Sequence, residues 1–177
     1  MAALTASHPM PAEDFAAAVA LHRDFLATGG GGGHWYTIIT TADLETGIVI
    51  GVYSGPKATS GEQADFGHQR LDGLDLRGLV LPYADLTACS ARGQDLARAD
   101  LSGCLATDSD FSGASFREAR LVAADFSRAE LAGCDFRGAD LTNADFENAD
   151  LTGADLRGAK LEGARFPGAL MTGARMT

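Results

Sequence analysis

The side chains best suited to chemistry in this 177-residue chain are three cysteines, four histidines and 24 acidic residues. The histidines, His8, His22, His34 and His68, show neither the i,i+4 nor the HxH spacing that places two imidazoles on one metal. A Ser-His-Asp set has no supporting sequence context. The run Gly29–Gly33 is followed by His34-Trp35-Tyr36, where a phosphate-binding Walker loop needs Gly-Lys-Ser/Thr. The GxGxxG pattern fails as well, because the sixth position from Gly29 is His34. The residues therefore point to no catalytic group, no metal site and no cofactor, and the glycine run reads as a flexible connection.

The acidic residues are ordered differently, and the elements that carry them explain how. Stepping by five from Phe66 gives Leu71, Leu76, Leu81, Leu86 and so on to Phe166, Met171 and Met176, almost all Leu, Phe or Met. Two residues earlier, from Ala84 to Ala174, a second comb holds Ala, Cys or Ser, with Gln94 the exception. Cys89, Cys104 and Cys134 belong to this comb, where a thiol serves as a slightly larger alanine. A strict period of five fits neither the 3.6 of a helix nor the 2 of a flat strand. It keeps one face inward only if the chain turns a corner regularly. The large and the small residue then face inward from a short extended segment, and the residue between them, often Asp, faces out. Stacked coils of this kind make a parallel β-solenoid.

Period twenty sharpens the picture. Positions 81, 101, 121, 141 and 161 are all Leu, and positions 73, 93, 113, 133, 153 and 173 are all Gly. Pure columns favour four segments per coil and between five and six coils. The blocks Ala-Asp-Leu-Thr-Gly at 149–153, Ala-Asp-Leu-Arg-Gly at 154–158 and Ala-Asp-Phe-Glu-Asn at 144–148 resemble the A(D/N)LxX unit of the pentapeptide-repeat family. The resemblance covers about residues 64–177. It implies an all-β right-handed quadrilateral parallel β-helix, with Phe and Leu stacked inside and no enzymatic activity. Two places depart from the pattern, Gln94 with Ala91 and Leu105 with Ala106, and those coils are expected to bulge or to be loosely filled.

Residues 1–63 read as a small α+β capping segment with a linker. Ala12–Ala27 carries Phe15, Ala18, Val19, His22, Phe25 and Leu26 on one helical face. The stretches HWYTIIT and GIVIGVY flank Asp43–Gly47 as a hairpin, and residues 54–63 form the linker. A solenoid end needs covering, and the outward Val80, Pro82 and Tyr83 of the first coil offer a dock. The rival reading is a small-molecule sensor or enzyme built on this segment, with Trp35, Tyr36, Tyr53 and His68 around a pocket.

Columns also sort the charges. Asp75, Asp95, Asp135 and Asp155 run beside Arg77, Arg117, Arg137 and Arg157, and Asp100, Arg120, Asp140 and Lys160 alternate. The remaining two faces hold Asp85, Asp108, Asp110, Asp125, Glu130, Asp145, Glu147 and Asp150, relieved mainly by Arg92, Arg128 and Arg165. These eight acids are the candidate partner-binding residues. At the far end Phe166, Pro167, Leu170, Met171 and Met176 are the candidate interface of a homodimer.

A net charge of -10 and a pI near 4.7 exclude a basic nucleic-acid surface, and 46% hydrophobic residues exclude a disordered chain. No apolar run is long enough for a membrane span, and the first residues lack the features of a secretory signal, so a cytoplasmic location is expected. The expected function is that of a non-catalytic binding or scaffold protein. Some members of the family it resembles mimic DNA, bind DNA gyrase or topoisomerase IV and confer resistance to antibiotics or toxins.

Overall fold

The structure, a computed structural model, describes residues 10–27, 35–39, 52–56 and 66–176. His8, His34, the glycine run 29–33, the turn at 43–47 and the linker residues 57–63 lie outside the described residues.

From Phe66 onward the backbone repeats every five residues. Through the middle of the solenoid the apolar residue of each unit is buried, as Leu121, Leu131 and Leu141 are, and so is the small residue two places before it; from Ala159 on both are only partly buried. The residue between them makes a parallel bridge with the residue twenty places on, as in Asp85↔Leu105, Leu105↔Asp125 and Asp125↔Asp145. Four units therefore complete one coil. The two residues after the apolar one form a corner, closed by a hydrogen bond such as Ala84 N–H to the Leu81 carbonyl at 3.2 Å. The second corner residue has a φ between 54° and 78° at every corner from His68 to Gly173. All twelve glycines after residue 70 occupy this left-handed position, which strains any residue bearing a Cβ. Asn143 and Asn148 also stand there, where a short amide side chain tolerates it best.

Between coils an N–H donates to the carbonyl nineteen residues on, as Leu81 does to Asp100 at 2.8 Å. Inside, rings of one column lie flat on one another, Phe126 on Phe146 at 5.5 Å and Phe146 on Phe166 at 5.0 Å. Rings of neighbouring columns meet edge to face, as Phe126 and Phe136 do at 6.3 Å.

The four sides are numbered by their bridging positions. Side one carries 70, 90, 110, 130, 150 and 170; side two 75, 95, 115, 135, 155 and 175. Side three carries 80, 100, 120, 140 and 160, and side four 85, 105, 125, 145 and 165. Sides one and four share an edge, as do sides two and three.

The expected bulges at Gln94/Ala91 and Leu105/Ala106 do not occur. Asp85, Leu105 and Asp125 bridge in sequence, and Ala91 and Ala106 are fully buried. An alanine in the large column removes volume from the interior without touching the ladder, which is backbone alone. The irregularity lies one coil earlier. Leu74 and Leu79 stand where most later coils have alanine, and among the described residues no bridge joins Asp75 to Asp95. A void of about 10 Å³ with an apolar lining lies nearby among Phe15, Phe66, Leu71, Leu76, Leu86 and Leu96.

Before the solenoid, helix α1 spans Ala12–Ala27, and strands β1, Trp35–Ile39, and β2, Val52–Pro56, pair antiparallel from Trp35↔Pro56 to Ile39↔Val52. The second strand therefore runs on to Pro56, into residues read as linker, while 47–51 lie outside the described residues. On α1, Phe15 and His22 are buried and Ala18 and Val19 partly so. The Met10 N–H donates to the Arg70 carbonyl at 2.8 Å, and the Phe15 ring lies 5.3 Å from Phe66. The His22 imidazole is hydrogen-bonded to the carbonyl of Pro82, the only hydrogen-bonding group a proline backbone has.

Candidate functional site

The outward aspartates have a local task that the sequence reading did not assign. Each carboxylate reaches over its corner and accepts the N–H two residues on: Thr87 to Asp85 at 2.9 Å, Ser112 to Asp110 at 3.0 Å, Thr152 to Asp150 at 2.9 Å. On Asp100, Asp125 and Asp140 a following Ser or Thr hydroxyl donates as well, at 2.6 Å. This is an Asx turn repeated up the rod. The Ala-Asp-Leu-Ser/Thr spelling was the available signal. Glu130, one methylene longer, makes no such bond.

Charge is distributed unevenly around the rod. On side two Asp155, almost fully buried, is approached by Arg157 at 2.8 Å, Arg175 at 3.0 Å and Arg137 at 3.7 Å. The Arg157 hydrogen bond, more than any other cause, holds its carboxyl far below the usual carboxylate range. Asp135 beside Arg137 and Asp75 beside Arg77 are lowered for the same reason. On side three Arg120 meets Asp100 at 3.6 Å and Lys160 meets Asp140 at 3.0 Å. The edge between these sides carries an open cleft of about 390 Å³ lined by Arg77, Arg98, Arg117 and Glu118, in which Arg98 and Glu118 pair at 2.9 Å.

Sides one and four differ. Of the eight candidate acids, Asp108 pairs with Arg128 at 2.6 Å, Asp110 with Arg92 at 2.8 Å and Asp145 with Arg165 at 3.3 Å. Among the described residues no cation lies within 4 Å of Asp85, Asp125, Glu130, Glu147 or Asp150. Glu130 bridges directly to Asp150, and Asp125 to Asp145, so like charges stack at about the 4.8 Å strand spacing. Burial first, then the carboxylates of Asp125 and Glu147, push the Asp145 pKa above its ordinary value despite Arg165. The structure thus brings the uncompensated acids together around the edge shared by sides one and four.

The thiols are sealed in. Burial pushes the Cys134 pKa up to about 12 and raises Cys89 and Cys104 further. Among the described residues no group of His, Cys, Asp and Glu is placed to hold a metal ion. Of the four residues proposed to line an N-terminal pocket, His68 is a corner residue with φ 59°. The side chains of Trp35, Tyr36 and Tyr53 lie outside the described residues. No described helix is long and apolar enough to cross a membrane.

The family model for pentapeptide repeats matches in eight copies, over residues 84–122, 95–131, 119–158 and 149–177. The chain belongs to the pentapeptide repeat family. Members are generally non-enzymatic structural or binding proteins. Among solved structures this pentapeptide repeat protein is similar to HetL, a pentapeptide repeat protein involved in heterocyst differentiation regulation from the cyanobacterium Nostoc sp. strain PCC 7120. The two are 31% identical with a TM-score of 0.44, over 64% of this chain and 54% of HetL. The chain thus spans about half the length of that relative. A pentapeptide repeat protein from the Arabidopsis thaliana thylakoid lumen is 31% identical with a TM-score of 0.30, over 56% of this chain and 66% of the other. Full-length QnrB1, a plasmid-mediated fluoroquinolone resistance protein, is 20% identical with a TM-score of 0.29, over 64% of this chain and 71% of QnrB1. No curated protein matches the sequence.

Proposed function

We propose that the protein is a non-catalytic scaffold that offers the acidic edge between sides one and four to a basic groove on a protein partner in the cytoplasm. The observation that carries this reading is the contrast between edges. Among the described residues Asp125, Glu130, Glu147 and Asp150 have no cation within 4 Å, whereas Asp155 on side two has three. Stacked like charges cost stability, a cost small in solvent but not repaid within the chain. A partner's basic groove repays it and gains electrostatic steering.

The spaced anions of this edge also suit a groove built for nucleic-acid phosphates, which makes DNA gyrase and topoisomerase IV the specific candidates, with protection from quinolones or toxins as the outcome. The right-handed coil sense, the capping role of residues 1–63 and a two-fold dimer through Phe166, Pro167, Leu170, Met171 and Met176 belong to the same proposal. Leu170 and Met176 are 58% and 45% exposed, which supports the dimer, and the three contacts of Met10, Phe15 and His22 support the cap.

The test exploits the corner hydrogen bonds. Asp110→Asn and Asp150→Asn keep an acceptor for the corner N–H, so with Glu130→Gln they remove charge and leave the coil intact. Supercoiling and quinolone-stabilised cleavage by gyrase are measured with wild type, with this triple variant and with Asp75→Asn/Asp95→Asn. Protection that falls at least tenfold in the triple variant, and little in the control, supports the edge as the site. Undiminished cleavage at a large excess of wild type removes gyrase as the partner. Losses in proportion to the three and two charges removed show that net charge alone is read.

A further inference from the structure

Between residues 75 and 157, side two repeats one pair, an Asp at the bridging position and an Arg two residues on. Three of these pairs close the same fork, Nε to Oδ1 and Nη2 to Oδ2. Arg77 closes it on Asp75 at 3.0 and 3.3 Å, Arg137 on Asp135 at 2.8 and 2.5 Å, and Arg157 on Asp155 at 2.9 and 2.8 Å. Each column breaks once. Ala97 stands two residues after Asp95, and Ser115 stands two residues before Arg117.

Asp95 therefore keeps only half of the arrangement. Its Oδ1 accepts the Ala97 N–H at 3.0 Å, as other corner aspartates do, and its Oδ2 accepts nothing among the described residues. No described cation lies within 4 Å of it. The cleft of about 390 Å³ on the edge between sides two and three opens over Ala97, with Arg77 and Arg117 one coil away on either hand. Those two arginines are two coils apart, about 9.6 Å at the strand spacing, which leaves room for one planar guanidinium between them.

The charges decide the sign of the ligand. Every arginine of the cleft already has an acid: Arg77 holds Asp75 at 3.0 Å, Arg98 holds Glu118 at 2.9 Å and Arg117 approaches Asp135 at 3.6 Å. The walls are thus tied in place before a ligand arrives, which lowers the cost of binding. The acid left over is Asp95, so the cleft is short of a cation. Successive guanidiniums are compatible with this column when each has its acid, because Arg137 stands one coil from both Arg117 and Arg157 and pairs with Asp135. Glu118 gives one oxygen to Arg98 and keeps the other as a second acceptor. A guanidinium suits the place better than an ammonium, since its planar donors engage both oxygens of a carboxylate at once.

We propose that this cleft is a binding site for an arginine side chain of a partner protein, which completes the fork on Asp95 that Ala97 leaves open. The site is independent of the acidic edge between sides one and four, and nothing that the edge would bind enters its test.

The full chain, isotope-labelled, is titrated with Nα-acetyl-arginine methylamide, with the lysine analogue of the same charge, and with inorganic phosphate. The amide signals of Gly78, Ala97, Arg98 and Glu118 report binding. The arginine probe is expected to shift them saturably and to bind at least fivefold more tightly than the lysine analogue. Asp95→Asn, which keeps an acceptor for the Ala97 N–H, should weaken the arginine probe at least fivefold. Ala97→Arg supplies the guanidinium from the chain itself and should abolish binding. No saturable shift at these amides overturns the proposal. So does a lysine analogue that binds as tightly, or arginine binding that survives Asp95→Asn or Ala97→Arg unchanged. Saturation of the same amides by phosphate, lost in Arg117→Ala, overturns it too, because the arginines then take an anion. Should Ala97→Arg lose the solenoid signature in circular dichroism, Asp95→Asn carries the comparison with the same overturning results.

Discussion

Asp145 divides its carboxylate between a corner and its neighbours. One oxygen accepts the Glu147 N–H at 3.0 Å and the other meets Arg165 at 3.3 Å, while Asp125 bridges to it from the coil before. Its pKa is raised by burial and by the two nearby carboxylates. A carboxyl whose folded pKa lies above its unfolded one binds more protons when folded, so its contribution to stability falls as pH rises through that range. At neutral pH the charge is a net penalty. Asp145→Asn, which keeps the corner acceptor, is expected to raise stability slightly at pH 7 and to do nothing below the carboxylate range. Asp155→Asn runs the other way. Its folded pKa is lowered by Arg157, so its stabilisation is present above the ordinary value of 3.8 and lost as pH falls below it. Urea melts of both variants against pH check the two signs, and a destabilised Asp145→Asn at neutral pH contradicts the argument. The sorting of charges onto sides was legible in the sequence, because period twenty alone decides which residues stack. The corner hydrogen bonds were signalled only by the Ser or Thr that follows some of the aspartates, because which N–H each carboxylate accepts depends on the left-handed turn.

Helix α1 was legible to its end residues because an apolar stripe at helical spacing, with Pro11 before it and glycines after, leaves little freedom. The second strand was not. GIVIGVY is apolar almost throughout and fixes no register, and the observed register is set by pairing Trp35 with Pro56, which carries the strand past the apolar run. His22, read from the sequence only as one member of the stripe, gives α1 its hydrogen bond to the first coil beside the Phe15–Phe66 contact. Burial lowers its pKa below the ordinary 6.5, opposed by the Pro82 carbonyl, which favours the protonated donor. A histidine with a depressed folded pKa contributes fully above its unfolded value, and that contribution is lost as pH falls through the folded one. Docking of α1 is therefore expected to weaken as pH drops below about 6.5. Hydrogen exchange of the α1 amides should speed up over that range in wild type, relative to the solenoid interior. In His22→Gln, which keeps a donor and cannot titrate, the relative rate should be flat. An equally steep acid response in His22→Gln assigns the effect to another group.

A solenoid is close to one-dimensional, with each coil touching only its neighbours, so stability should depend on distance from the ends. Phe126 and Phe166 share a column and a residue type but not a position along the rod. Phe126 is fully buried, flat on Phe146 and edge-on to Phe111, Phe116 and Phe136. Phe166 is partly exposed and, among the described rings, stacks on Phe146 alone. Phe126→Ala removes an entire ring from a closed interior and is expected to cost about 3–5 kcal/mol. Phe166→Ala removes a ring that is already partly exposed, and about half that loss or less is expected when the protein is dilute. The comparison also reads the state of the last coil. If two copies cover each other there, Phe166 becomes interior at high concentration. Its substitution should then approach the cost of Phe126→Ala as concentration rises, while the cost of Phe126→Ala stays constant. Chemical denaturation of both variants at low and high protein concentration measures this directly. Equal costs in dilute solution would show that the last coil is as well supported as the middle of the rod. A gap that stays constant with concentration would leave the end uncovered and remove the two-fold contact.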